Sequence, residues 1–324
     1  MMIKQQRGMA LLVVLLLLAA MTLVASQMLG RYRQTWQHSH TLLRQAQLRE
    51  YFLGGEAFVA RVLYQDQLDS PQKTSLAQYW ASQGNVWPIG EIELQAEVRD
   101  EQACFNLNSL QNHDEREPDN LARYREGVFI ALLEGLEVEG IRARQLAARL
   151  EDWLDSNRDP QLQGAEDNDY MALIPAYLPA NQPMLNRSEL RAVTGFDRAL
   201  YQALGPFICV LPERDLAINI NTLRDDQAPL LAALFLNTLP LKDAQALIQR
   251  RPKEGWDSVD AFLTLVPGER DRAASPEIAR SLTVKSDYFV ATFSVDNQPG
   301  ARMTSHFYRT SDRKVIVRDN RFGE

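Results

Sequence analysis

From residue 9 to residue 30 the chain carries no charged side chain and reads MALLVVLLLLAAMTLVASQMLG. At ~1.5 Å rise per residue, a helix of this run just crosses a ~30 Å hydrocarbon core. The run outlasts the roughly 7–15 apolar residues of a secretory signal peptide, and Ala25-Ser26-Gln27 is a poor cleavage site. Lys4 and Arg7 precede it and Arg31 and Arg33 follow. The short basic leader before the span favours a cytoplasmic N-terminus. An uncleaved anchor and a signal peptide are the plainer readings of this segment.

Beyond the span there is no proline until Pro71, and apolar residues recur at Trp36, Leu42, Leu43, Ala46, Leu48, Tyr51, Phe52 and Phe58. This spacing extends the helix over 9–65, half in lipid and half packed on a globular head, with Gly54-Gly55 expected to bend or weaken it. After Ser70-Pro71 the period changes. Residues 91–99 alternate polar and apolar side chains, as a half-buried strand does. Segments 283–295, 303–308 and 314–317 also read as strands, joined by turns at 297–300 and 311–312. The predicted sheet is thus split between 66–110 and 281–324, with a mostly helical insertion over 111–280. The fold class is α+β: a long N-terminal transmembrane helix, a small antiparallel sheet and a large inserted helical domain.

The composition narrows the chemistry. The 324 residues hold 35 Lys+Arg against 42 Asp+Glu, a net charge of -7, which disfavours a protein that coats nucleic acid through bulk charge. Two cysteines exclude a disulfide-dense scaffold and a four-cysteine zinc site. There is no GxSxG, Walker loop or HExxH, so the chain reads as a non-enzyme. Asp152 and Asp155 stand three apart at an expected helix end, where capping or metal binding explains them more simply than catalysis.

The leader, Lys4-Gln5-Gln6-Arg7-Gly8-Met9-Ala10, resembles that of type IV prepilins. The resemblance implies cleavage after Gly8 by a prepilin peptidase and methylation of Met9. The usual Phe at the first mature position and Glu at the fifth are replaced by Met9 and Val13. In ordinary pilins that glutamate neutralises a neighbour's terminal amine inside an apolar filament, where an unpaired charge is costly. An apolar fifth position, Phe105-Asn106-Leu107-Asn108, Asp152-Trp153-Leu154-Asp155 and Ile218-Asn219-Ile220-Asn221-Thr222 together resemble the minor pseudopilin K family of type II secretion. The resemblance implies a pilin-like fold. It also implies a structural role at the pseudopilus tip, initiating it and supporting export across the outer membrane. The implied partners are I- and J-type minor pseudopilins, the major pseudopilin and the prepilin peptidase. The implied location is the inner membrane in a single pass, with a periplasmic head.

Segment 155–169, DSNRDPQLQGAEDND, has the composition of a calcium loop. With Asp155 at position 1, the EF-hand frame puts Asn157, Asp159, Gln161, Gln163 and Glu166 at ligand positions, but Pro160 stands where an EF-hand has Gly. Asp167 and Asp169 add carboxylates. Calcium, which the resemblance also implies for this insertion, and a solvated acidic loop are the two readings. Hard oxygen donors disfavour zinc. Cys104 and Cys209 form either a disulfide or two buried thiols. Segments 185–195 and 258–268 share a polar cap, a helical turn and a final Gly, resembling helix-hairpin-helix or SAM-like units. Their acidic surroundings favour protein contacts over DNA. Two further readings differ in class: a membrane-anchored periplasmic calcium-dependent binding domain that never assembles, and a membrane-tethered DNA-binding module.

Overall fold

The structure, a computed structural model, describes residues 7–82, 85–89, 92–111, 119–268, 276–295 and 301–323. The prepilin-like residues 1–6 and the expected turn at 297–300 lie outside the described residues. Helix α1 spans Arg7–Asp69, four residues beyond its expected end at 65, because no proline or cap intervenes before Ser70. It is assigned without interruption through Gly54-Gly55. By its contacts the chain divides into two compact units, Met1–Gly55 and Glu56–Glu324. In the first, the apolar run from Met9 is long enough to cross a membrane and buries nothing.

In the second unit α1 buries Val59, Leu63, Asp66 and Gln67, a helical stripe three or four residues apart. Strands β1 (Asn85–Ile89), β2 (Ile92–Asp100), β7 (Tyr288–Val295), β8 (Arg302–Arg309) and β9 (Val315–Phe322) form one antiparallel sheet in the order β1-β2-β7-β8-β9. Alternate residues point to one buried face: Leu94 and Ala96 from β2, Ala291 and Phe293 from β7, Met303, Ser305 and Phe307 from β8. Helix α1 lies on this face. Its Glu56 accepts from Ser305 Oγ at 2.6 Å, and its Asp66 accepts from Trp80 N at 2.9 Å. Trp80 in turn meets Phe289 edge-on, ring centroids 5.2 Å apart.

One strand lies outside the expectations, and one expectation needs correction. Strand β1 was not legible, since Pro88 within its run argues against a strand; at a sheet edge, where one side of the ladder is open, proline is tolerated. Residues 283–295 are not one strand. Thr283 Oγ1 takes the Lys285 N–H at 3.0 Å and Thr74 Oγ1 takes that of Ser286 at 3.1 Å, so the chain turns before β7 begins.

Between β2 and β7 the chain forms β3 (Phe105–Asn106), α2 (Asp119–Gly135), α3 (Gly140–Leu154), α4 (Asp167–Met171), α5 (Arg198–Leu204), β4 (Ile208–Cys209), β5 (Ile218–Asn219), α6 (Ala228–Leu234), α7 (Leu241–Gln249), α8 (Val259–Leu263), α9 (Pro276–Arg280) and β6 (Leu282–Thr283). Its core is continuous, with Phe105 stacked on Phe129 at 5.4 Å and Leu132, Leu146, Leu150 and Leu230 fully or nearly fully buried. Both connections to the sheet sit at one end, where Asp100 pairs with Phe289. The 185–195 segment contains a 3-10 turn over Arg187–Ala192, capped by the Asn186 side chain, whereas 258–268 contains α8, capped by Ser258.

Candidate functional site

The two Asn-x-Asn motifs are clamps where the insertion meets the sheet. Short parallel pairs join β3 to β4 and β5 to β6. Asn106 Nδ2 donates to Glu213 O at 2.6 Å, and its Oδ1 accepts from Leu211 N at 2.9 Å. Asn108, fully buried, donates to Met184 O and Leu211 O and accepts from Met184 N, all within 2.9 Å. Asn221 accepts from Trp256 N at 2.7 Å and donates to Trp256 O at 3.0 Å. The loop that Asn221 grips comes so close that a Cβ on Gly255, φ +74°, would lie 2.6 Å from the amide. A side-chain amide suits this place because it offers donor and acceptor together to a buried peptide group. Asn219 donates to Ser286 Oγ at 2.7 Å and to the Asp100 carboxylate at 3.1 Å, which also accepts from Thr222 Oγ1 at 2.6 Å. Cys104 and Cys209 form a disulfide, Cα atoms 5.8 Å apart, beside the β3–β4 pair.

The acidic segment is the loop from α3 to α4. Asp155 Oδ1 accepts from Asn157 N at 3.1 Å and Asn157 Oδ1 from Asp159 N at 2.8 Å, so the first three expected ligands form consecutive turns. Asp159 is exposed, and Asp167 pairs with exposed Arg158 at 3.6 Å. Asp169, also exposed, accepts from Glu166 N at 3.1 Å across the first turn of α4. Glu166 is therefore the cap of a helix, not the twelfth residue of an EF-hand. Gly8 and Met9 lie in the first turn of α1, and Met9 is exposed.

Two acids organise this loop: Asp152, left to capping or metal binding by the sequence, and Glu151, which the sequence did not single out. Asp152 is fully buried at the end of α3 and accepts from Ala165 N at 2.8 Å and Gln161 N at 3.2 Å. The loop wraps it so tightly that a Cβ on Gly164 would stand 1.8 Å from its Oδ2. Glu151 accepts from Gln161 Nε2 at 2.8 Å. Their signal was two adjacent acids within the buried end of an otherwise apolar helix. Glu151, Asp152, Asp155 and Glu166 are each at most 5% exposed. Neither carboxylate oxygen of Glu166 has a well-formed hydrogen bond, the Asn181 side chain giving it a weak one at most. Burial, then the charges of Asp152, Asp155 and Asp167, push its pKa up to about 7. Burial likewise lifts Glu151 to about 7, against the Gln161 hydrogen bond and with the charges of Glu126, Asp152 and Asp155 adding to it. Among the described residues no group of three or more His, Cys, Asp or Glu side chains is arranged to hold a metal ion. The buried, poorly hydrogen-bonded Glu166 beside other acids nonetheless suits a hard cation, which would remove the repulsion burial imposes.

A family model described as "Type II secretion system (T2SS), protein K" matches residues 218–285, and one for its first domain matches 103–213. The chain is 46% identical over 292 residues to a Type II secretion system protein K of Klebsiella pneumoniae, spanning 90% of this chain and 88% of that one. It is 41% identical to that of Aeromonas hydrophila, over 97% of this chain and 96% of the relative. A chain of the crystal structure of the GspK-GspI-GspJ complex from the enterotoxigenic Escherichia coli Type 2 Secretion System superposes with a TM-score of 0.78 at 32% identity. That match covers 89% of this chain and 99% of that one. With these relatives matching nearly end to end, the chain belongs to the type II secretion system protein K family.

Proposed function

We propose that the protein is a minor pseudopilin at the tip of the type II secretion pseudopilus, where it assembles with I- and J-type minor pseudopilins to initiate the filament and support export. The observation that carries this reading is the attachment of the insertion. The helices leave after Asp100 and return before Tyr288, at the sheet end toward which the Glu56–Asp69 part of α1 runs. A subunit with its upper end so occupied leaves no seat for another above it. Val13 in place of the buried glutamate fits a subunit that needs no charge partner in the layer above. The prepilin peptidase cuts after Gly8, Met9 is methylated, and α1 holds the protein in the inner membrane with the N-terminus cytoplasmic and the head periplasmic. The role is structural, and the helical insertion is a SAM-like, protein-contacting domain.

Calcium belongs in the α3–α4 loop, held by Glu151, Asp152, Asp155 and Glu166 from its buried side and by Asn157, Asp159, Asp167 and Asp169 from its rim. There it neutralises acids that burial otherwise penalises. Co-expression of the full chain with its I- and J-type partners and the peptidase tests the assembly. A stable co-purifying complex is expected, with Met9 as the methylated first residue by mass spectrometry. A chain that begins at Met1 and elutes alone would overturn the assignment. Replacing Gly8 by a bulky residue is expected to block processing and leave an unassembled precursor.

A further inference from the structure

The sheet face opposite α1 is not open to solvent throughout. The insertion overhangs it and encloses a cleft of about 490 Å³. Its floor is a row across four strands, Arg99, Val290, His306 and Asp319, with Thr304 and Arg321 beside them in the next register. A β-bulge shapes this floor. Asp319 pairs with His306 and Val317 with Phe307, so Arg318 has no partner in the ladder and turns to the same cleft as Asp319. Arg318 lies 5.4 Å over the Tyr288 ring. The opposite wall carries Arg187 and Arg224. Arg187 Nη1 donates to Gly205 O at 2.7 Å and Arg224 Nη2 to Pro206 O at 3.2 Å, so two guanidiniums are pinned by neighbouring carbonyls with other N–H groups to spare.

The charge of this cleft opposes that of the molecule. Five arginines line it against Asp100, Glu101 and Asp319, an excess of two positive charges in a chain of net -7. The three acids are already engaged. Asp100 accepts from Thr222 and Ser286, Glu101 lies 2.7 Å from His306, and Asp319 lies 3.7 Å from Arg321. Outside the cleft, Glu97 and Asp226 pair with Arg99 and Arg224 at 2.7 and 3.0 Å; exposed pairs of this kind are weak and exchange readily.

We infer that this cleft is a binding site for an extended acidic peptide segment of a partner protein, its carboxylates gripped by Arg187 and Arg224 on one side and Arg318 and Arg321 on the other. Guanidinium forks match carboxylates two bonds at a time. Val290, Ile208 and Val210 between them accept apolar side chains, which a free inorganic anion lacks. The overall negative charge works against nucleic acid.

The test uses the full chain in detergent micelles and a fluorescein-labelled peptide of alternating glutamate and leucine, read by anisotropy. Saturable binding that weakens with salt is expected for this peptide, and none for its glutamine counterpart. Arg224→Gln with Arg318→Gln is expected to weaken it about tenfold or more, at an unchanged melting temperature. Arg142→Gln, whose side chain pairs with Asp197 outside the cleft, is expected to change nothing. A photo-crosslinking version of the peptide on the unaltered protein is expected to label β8, β9 and 185–188, and does not depend on any variant folding. Labelling elsewhere, or binding that ignores the Arg224 and Arg318 changes, would overturn the inference. Displacement by low millimolar phosphate at matched ionic strength would also overturn it, by making the cleft a small-anion site.

Discussion

Glu166 is the residue whose environment makes the least sense without a ligand. A buried carboxylate so poorly hydrogen-bonded costs several kcal/mol unless it is neutralised. Glu166→Gln is therefore expected to act in opposite directions under two conditions. In calcium it lowers the melting temperature, because an ion that binds only the folded state contributes RT ln(1 + [L]/Kd), ~2.7 kcal/mol at a hundredfold excess. In chelator it leaves the temperature level or raises it, since a neutral amide relieves the repulsion from Asp152 and Asp155. Two parallel thermal scans suffice, and a substitution that stabilises in both would remove the metal site. His306 makes a separate prediction. Burial disfavours its charge, but the hydrogen bond and charge of Glu101 outweigh that, and its pKa is raised. A raised folded-state value means that the contribution is complete below the unfolded value of ~6.5 and is lost as pH climbs through the folded one. Urea unfolding is thus expected to show stability falling from pH 6 to pH 9 in the unaltered protein. The His306→Gln protein is expected to vary less over that window.

At the level of elements, the sequence displayed whatever is periodic and hid whatever depends on distant partners. The charge-free run and the proline-free stretch after it gave α1, and alternation gave β2, β7 and β8. The order of the elements gave the insertion. The Asn-x-Asn motifs were visible as patterns, yet their work as clamps on Leu211, Met184 and Trp256 involves residues up to about a hundred positions away. The loop from α3 was legible in composition, whereas the close approach of Gly164 to Asp152 at its centre was not, because only the fold brings them together. The disulfide belongs to this scale as well. Cys104 and Cys209 are 105 positions apart, and a closed loop of that length is worth ~4–5 kcal/mol in the chain-entropy account. Cys104→Ser with Cys209→Ser is expected to lower the urea midpoint accordingly. The clamps should still hold the β3–β4 pair, so circular dichroism of the folded protein should not change.

For the whole molecule, a sheet shared by two distant stretches of chain sets a joint between helical insertion and pilin-like strands. Asp100, Thr222, Asn219 and Ser286 meet there, and buried Arg309 lies among Asp66, Asp100 and Asp287 with its pKa pulled down to about 10, first by burial. The adjacency of β2 and β7 also orders events in time. Asp100 and Tyr288 are about 190 positions apart, so at ~5–20 residues per second a growing chain exposes β2 for on the order of 10–40 s before its neighbour exists. During that interval β2 has β1 alone, and a two-stranded ribbon is marginal in water. The helices between them make more local contacts and close sooner. They then bring position 288 back to position 100, so the final pairing needs only a short search. Ribosome-stalled chains ending before Tyr288 are expected to resist protease across 119–263 while being cut within 85–100. The newborn protein therefore passes through a stage in which its crown is finished and its sheet is an open, adhesive edge.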